Sequence, residues 1–382
     1  MQAFNISHQI KILSSSFLLI FFGFSSAQQF ITPFYSGLGI PNVGFYSLIL
    51  IYSFFLLSGP FSAILVSRWG SKKCMLLASA VYGIFIFTIT AGAPLIYFSS
   101  SLLGVSASLL WTGQGSYLIM ASNEKSYGAN SGLFITFSNF GSATGILLLG
   151  YLVSRFSFEP SFMLYGFFPF AGCLLLSRLK DIKVEKEVSQ FKLLRKAITN
   201  PLAIRLSVFY IAFLFIFGLT IGTIPIEIKN RLSIGWIGAL SSSFWIIPIL
   251  ISYSLGKISD TKGRKGMIIL AYAIGISGLI LLLFQQPLTL IIGIVLLALA
   301  YAIFKPISLA FVGDVAKKEN LVSLTALLWM AQNVGTILAL LVSIQTQTKT
   351  AYLVAIAILL VSLIIQSPLL RLDIKEIKER LS

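Results

Sequence analysis

The sequence predicts an all-α polytopic membrane protein, with twelve transmembrane helices in two six-helix pseudo-symmetric halves. Three observations predict it. Apolar runs of about 20 residues, the length that crosses a hydrocarbon core, recur from one end of the chain to the other. The 382 residues are 57% hydrophobic and only 10% charged, against about 25% charged in soluble globular proteins. The charges that remain cluster between the apolar runs, and motifs in the first half return in the second.

In order, the spans are expected at residues 12–35, 42–66, 73–93, 94–120, 127–154, 160–176, 203–227, 235–255, 266–284, 287–312, 321–345 and 351–370. Phe17 to Phe24 followed by Ser25-Ser26-Ala27 has the outline of a secretory leader and its cleavage site. Cleavage is not expected. Lys11 alone supplies the preceding charge, the apolar run continues through Tyr35, and removal would break the repeat. Pro94, Pro160 and Pro287 stand at the start of their spans, where a missing N–H costs nothing. The short turns Gly92-Ala93-Pro94 and Gln285-Gln286-Pro287 make their neighbours antiparallel.

Charge sets the orientation. Of the 28 lysines and arginines, Arg155, Lys229, Arg231 and Lys349 fall on one side, Lys305 lies inside a span, and the other 23 fall on the opposite side. The basic side is expected to be cytoplasmic. Both termini are therefore placed in the cytoplasm and the protein in the cell membrane. The net charge of +16 is explained by this asymmetry, so nucleic acid is not an expected partner. Cys74 and Cys173 lie in apolar runs, and the single histidine, His8, lies in the N-terminal tail. No metal, cofactor or disulfide framework is expected, and no nucleotide loop or catalytic triad points to an enzyme.

Glu124-Lys125 and Asn139-x-Gly141 align with Lys318-Glu319 and Asn333-x-Gly335 at one constant shift, and Gly70 aligns with Gly263 one residue short of it. Duplicated six-span halves in this topology mark transporters whose halves are related by an axis along the membrane normal. The expected division is 1–177 and 203–370 for the halves, 178–202 for a cytoplasmic linker and 371–382 for a tail. In the linker, Phe191, Leu193 and Leu194 would form the apolar side of a segment lying on the membrane face.

The turn after the eighth span is the densest motif. Gly256-Lys257-Ile258-Ser259-Asp260-Thr261-Lys262-Gly263-Arg264-Lys265 holds one acid and four bases. The positive-inside rule asks for bases there but not for an acid or two glycines. With Gly256, Asp260, Gly263, Arg264 and Lys265 at fixed spacing, the turn resembles the signature loop of the major facilitator superfamily. Gly256 suits close helix approach and Gly263 a tight turn. The resemblance implies that Asp260 pairs with the loop arginine and with the N-terminus of a helix of the other half, here the fifth span near Ser126-Tyr127-Gly128, latching the cytoplasmic side. The first-half copy, Ala63 to Lys72, keeps Arg68, Gly70 and Lys72 but carries Ser67 in place of the acid and Ala63 in place of the first glycine. The second-half turn is therefore expected to carry more of the gating.

A second resemblance is finer. Leu110-Trp111-Thr112-Gly113-Gln114-Gly115-Ser116-Tyr117-Leu118, followed by Asn130-Ser131-Gly132-Leu133-Phe134 and Gly145, is similar to the uncoordinated-93-like branch, which includes ion-channel regulators. The sequence departs from that branch at Ile135, where a tryptophan is usual, and at Ile146, where an asparagine is usual.

The superfamily resemblance implies that spans one, four, seven and ten line a central cavity. Polar residues inside spans face protein or water rather than lipid. Gln28, Gln29, Gln114, Asn139, Lys305 and Gln332 are the substrate-cavity candidates. Each glutamine and Asn139 has a second reading as hydrogen-bonding glue between helices. Asn333, repeated at Asn139, reads better as glue. Lys305 either binds an anionic group or snorkels to the nearby cytoplasmic end of its helix. No carboxylate falls mid-span, which disfavours proton coupling through a buried acid. The expected function is a monomeric secondary transporter of a small organic solute, neutral or anionic, working in the lipid bilayer. The alternative is a non-transporting regulator or trafficking partner on the same fold.

Overall fold

A computed structural model describes residues 6–122, 127–181, 199, 201–262, 264–315 and 321–371. The described residues form thirteen helices. They are α1 (Ile6–Gly37), α2 (Pro41–Trp69), α3 (Ser71–Thr88), α4 (Ala93–Met120), α5 (Tyr127–Phe156), α6 (Phe158–Leu176), α7 (Pro201–Ile221), α8 (Thr223–Arg231), α9 (Ile234–Lys262), α10 (Arg264–Leu283), α11 (Pro287–Val315), α12 (Leu321–Gln345) and α13 (Thr348–Arg371). Helix is what an apolar medium demands, because every backbone N–H and C=O must be satisfied within its own segment. Twelve segments are long and apolar enough to cross a membrane. This is an integral membrane protein.

The extra helix comes from the seventh span, expected as one piece. Gly222, at φ −99° and ψ −84°, separates α7 from α8. Pro225 has no N–H to donate to the carbonyl of Ile221, so the helical ladder ends there and restarts. Three turns between spans place glycine in the left-handed region, Gly39, Gly70 and Gly92 at φ 77°, 86° and 99°, while Ser157 and Gln285 take positive φ, 76° and 53°, in two others.

The chain divides into two compact units, Met1–Val188 with Ser233–Ser242, and Ser189–Leu232 with Ser243–Ser382. The start of α9 thus packs with the first unit, where Gly238 and Gly150 of α5 bring their backbones together. In the first unit α1 packs on α5 and α6, α2 on α4, and α3 on α4 and α6. In the second, α7 packs on α12 and α13, and α10 packs on α11 and α13.

The repeat extends to single contacts. A methyl group added at Gly141 of α5 would strike the carbonyl oxygen of Leu18 on α1, and one added at Gly335 of α12 would strike that of Ile211 on α7. These are the glycines of the two Asn-x-Gly motifs. Removing the side chain lets the backbones touch, and association inside a membrane depends on such packing. Polar bonds fasten both pairs. The hydroxyls of Ser25 and Ser142 are 2.9 Å apart between α1 and α5, and Thr336 Oγ1 donates to the Leu214 carbonyl at 3.4 Å between α12 and α7.

Tyrosine hydroxyls close each unit. Tyr165 of α6 donates to the Gly145 carbonyl at 2.9 Å. Tyr272 of α10 meets Ser362 of α13 at 2.6 Å, and Ser362 in turn donates to the Val208 carbonyl of α7 at 3.3 Å. Gln366, near the end of α13, is buried and donates to the Arg205 carbonyl of α7.

Gly141→Val and Gly335→Val are each expected to destabilise the protein by about 2 kcal/mol through forced backbone separation. Gly115→Ala, whose added methyl meets nothing within 4 Å, is expected to leave the melting temperature in detergent unchanged. Thermal unfolding of the three variants checks this.

Candidate functional site

Four of the six cavity candidates lie in the first unit. Gln28 and Gln29 are buried on α1, Gln114 on α4 and Asn139 on α5. Gln28 Nε2 donates to Tyr52 Oη of α2 at 2.6 Å, so its amide holds a neighbouring helix. Gln114 lies between two glycines with different surroundings. A methyl at Gly113 would meet Ser71 and Met75 of α3, whereas one at Gly115 meets open space.

The aromatic residues of the same motif serve packing. Trp111 sits 5.8 Å from Phe17 and 5.3 Å from Phe21 of α1, and Phe134 of α5 sits 4.8 Å from Phe17. Offset and edge-on ring contacts of this kind add to the area they bury. Tyr117, at the motif's end, is fully buried. Its hydroxyl lies 3.0 Å from Gln9 Oε1 and 3.1 Å from the Lys180 carbonyl, and the Lys180 N–H donates to the same Gln9 oxygen at 2.8 Å. One tyrosine therefore joins the start of α1, the end of α4 and the chain leaving α6. This knot is not legible in the sequence, because Gln9 stands outside the apolar pattern and its partners are remote along the chain.

The remaining two candidates lie in the second unit. Gln332 is half-buried on α12. Its neighbour Asn333 donates from Nδ2 to the Trp329 carbonyl of its own helix at 2.9 Å. Lys305, half-buried on α11, has its Nζ 5.6 Å from the ring centre of Trp245 on α9 and 5.8 Å from that of Tyr301. Tyr301 lies one turn earlier on α11. The lysine side chain therefore runs back toward the start of its helix, as helical side chains do. It points away from the end of the span that lies closer in sequence. Snorkelling to that nearer end is not the geometry found.

Rings back this place. Tyr301 stacks on Phe217 of α7 at 6.0 Å and 21°, and it meets Phe244 of α9 at 6.3 Å and Phe304 at 6.2 Å. The i, i+4 spacing of Tyr301 and Lys305 was visible in the sequence. The approach of Trp245 from another helix was not.

The signature turn is described in part. Gly256 and Asp260 fall in the last turns of α9. The Asp260 side chain and Gly263 lie outside the described residues, as do Ser126 and the apolar side of the linker at Phe191, Leu193 and Leu194. Arg264 Nη1 donates to the buried Ser259 Oγ at 2.8 Å, which ties α10 back onto α9. Lys265 is half-buried. In the first-half copy, Arg68 is exposed and Lys72 half-buried. Ser67, at the position of the acid, donates to the Ile64 carbonyl of its own helix at 2.8 Å. Gly70 makes the turn at φ 86°, the left-handed region that a side chain disfavours.

A second polar group stands at the end of α8. Glu227 is buried and pairs with Arg231 at 2.7 Å. Arg231 Nη1 donates to the Gln285 carbonyl at 2.7 Å, and Thr348 Oγ1 lies 3.5 Å from the other oxygen of Glu227. The short helix is thereby tied to the turn before α11 and to the start of α13.

These features define a class: a polytopic membrane protein of twelve spans in two compact units with a shared internal plan. Solved structures agree on the fold. The POT family transporter PepTSo superposes with a TM-score of 0.77 over 96% of this chain and 99% of that one, at 15% identity. An auto inhibited POT family peptide transporter superposes with a TM-score of 0.76 over 98% and 97%, at 12% identity. Two family models match overlapping stretches of the sequence. Residues 40–218 match "Ion channel regulatory protein UNC-93" and residues 206–381 match "Major Facilitator Superfamily".

The second half of the chain is thus similar to the major facilitator superfamily and the first half to the UNC-93 family. Among curated relatives, UNC93-like protein 3 of Arabidopsis thaliana is 31% identical over 132 residues, 34% of this chain and 27% of that protein. UNC93-like protein MFSD11 of Xenopus tropicalis is 30% identical over 144 residues, 37% and 32%. The matched stretch spans about a third or less of these relatives.

Gly70→Ala is expected to destabilise by about 1 kcal/mol although the space beside it is open, because the cost is conformational. Gly70→Asn, which tolerates a left-handed backbone better, is expected to cost less. Paired unfolding curves in detergent check the order.

Proposed function

We propose that this protein is a secondary transporter that moves a small organic solute by alternating access between its two six-helix units. The superfamily match and the transporter fold support the transport class. The single observation that carries the finer reading is that one helix-packing plan is built twice, on Gly141 against Leu18 and on Gly335 against Ile211. Two rigid, equivalent bodies are what a rocking mechanism requires. The family match and fold support a non-enzymatic protein. We take it to work as a monomer in the cell membrane, with both termini in the cytoplasm on the strength of the one-sided basic loops.

The residues proposed for gating are Gly256, Asp260, Gly263, Arg264 and Lys265, with Arg68, Gly70 and Lys72 as the weaker copy. Ser67 bonded to its own helix supports that ranking. The residues proposed for solute contact are Gln28, Gln29, Gln114, Asn139, Lys305 and Gln332. Among the described residues the buried carboxylate is Glu227, and Arg231 already neutralises it. This favours uniport, or coupling by another route, over proton relay through a buried acid.

The UNC-93 match over residues 40–218 supports a second reading, a regulator that keeps the fold without transporting. Solute counterflow in proteoliposomes separates the two. The transporter reading predicts counterflow by the wild type and at least a tenfold loss in Asp260→Asn, with normal folding. Counterflow unchanged by Asp260→Asn contradicts the gating assignment. Its absence for every solute class in a broad metabolite library contradicts transport.

A further inference from the structure

We propose that Lys305, Trp245 and Tyr301 form the recognition site for an organic monoanion with a flat, aromatic body, such as an aromatic carboxylate. The inference deepens the transporter reading and rests on it for the fate of the bound anion. All three residues belong to the second unit.

The charge of Lys305 is the starting point. A base within a membrane span is costly and is normally paired. Among the described residues no carboxylate is recorded within ion-pair distance of its Nζ, whereas Arg231 has Glu227. The two aromatic faces, at 5.6 and 5.8 Å, attract the cation by about 0.5–2 kcal/mol each. They leave its charge in place and offer no lone pair to its three N–H donors. An oxyanion would accept from those donors and balance the charge.

The rings specify the remainder of the ligand. Trp245 is half-buried, so part of its ring is not covered by protein. Tyr301 is fixed from behind by Phe217, Phe244 and Phe304. A rigid aromatic wall next to a single cation suits a planar body carrying one negative group. A phosphate dianion would call for an arginine fork or a second base. The described neighbourhood supplies one lysine.

Thermal unfolding of the purified full-length protein tests this with sodium benzoate and sodium indole-3-acetate. Benzamide and indole-3-acetamide serve as uncharged counterparts, and sodium acetate as the anion without a ring. The aromatic carboxylates are expected to raise the melting temperature by about 2 °C or more when saturating, and the amides and acetate are not. Lys305→Gln is expected to abolish the shift, Lys305→Arg to retain part of it, and Trp245→Leu to reduce it. Each response is read against the variant's own unliganded value. Equal shifts from amides, a full shift in Lys305→Gln, or no shift from either carboxylate overturns the site.

Exchange of labelled indole-3-acetate in proteoliposomes at about pH 8, where the leaky free acid is scarce, separates this proposal from the transport reading. Binding without exchange overturns transport and leaves the site standing. Counterflow of a neutral solute that is indifferent to Lys305→Gln overturns the site and leaves transport standing.

Discussion

The structure depends on backbone meeting backbone. Lipid offers helices no hydrophobic reason to associate, so they must gain from close packing and from polar bonds across the contact. At Gly141 and Gly335 the side chain is absent, and α5 and α12 lie directly on carbonyl groups of α1 and α7. Each contact is flanked by one polar bond, Ser25 with Ser142 and Thr336 with Leu214. With those pairs fixed, α6 and α13 close over them through Tyr165 and Ser362. The polar residues of α1 are thereby held at defined positions rather than exposed to lipid.

The second constraint is charge. The sequence keeps nearly all of its bases outside the spans, and Lys305 is the exception. Its side chain folds back along α11 over Tyr301 and toward Trp245 of α9. That direction takes the ammonium away from the closer helix end and into an aromatic setting. The ion pair of Glu227 with Arg231 shows the opposite case, a buried carboxylate fully engaged and used to tie α8 to a turn and a helix start. One charged group is bound into an ion pair, and the other lies against two aromatic rings.

Much of the fold was legible in the sequence because the membrane imposes a length and a composition on each span. Twelve apolar runs, proline at helix starts and the one-sided basic loops sufficed. The break at Gly222 was not legible, since a glycine and a proline inside an apolar run are also tolerated in continuous helices. Of the site, the polar candidates were legible as residue types but their directions were not. Gln28 bonds to Tyr52 across helices, and Asn333 bonds within its own. Trp111 was recognised as part of a motif, whereas its task, packing on Phe17 and Phe21, depends on the distance between α4 and α1. Tyr117 and Gln9 meet only because α1, α4 and the end of α6 come together.

The most direct test of alternating access is thiol accessibility at the proposed solute positions. Cys74 and Cys173 are the two cysteines of the chain, so replacing both with alanine gives a silent background. Single cysteines are then placed at positions 114 and 305, and membrane-impermeant maleimides are applied from either face of oriented vesicles. The account predicts labelling of each position from both faces, with a rate from each that shifts in opposite directions when Asp260→Asn is added. Labelling confined to one face in every condition contradicts it.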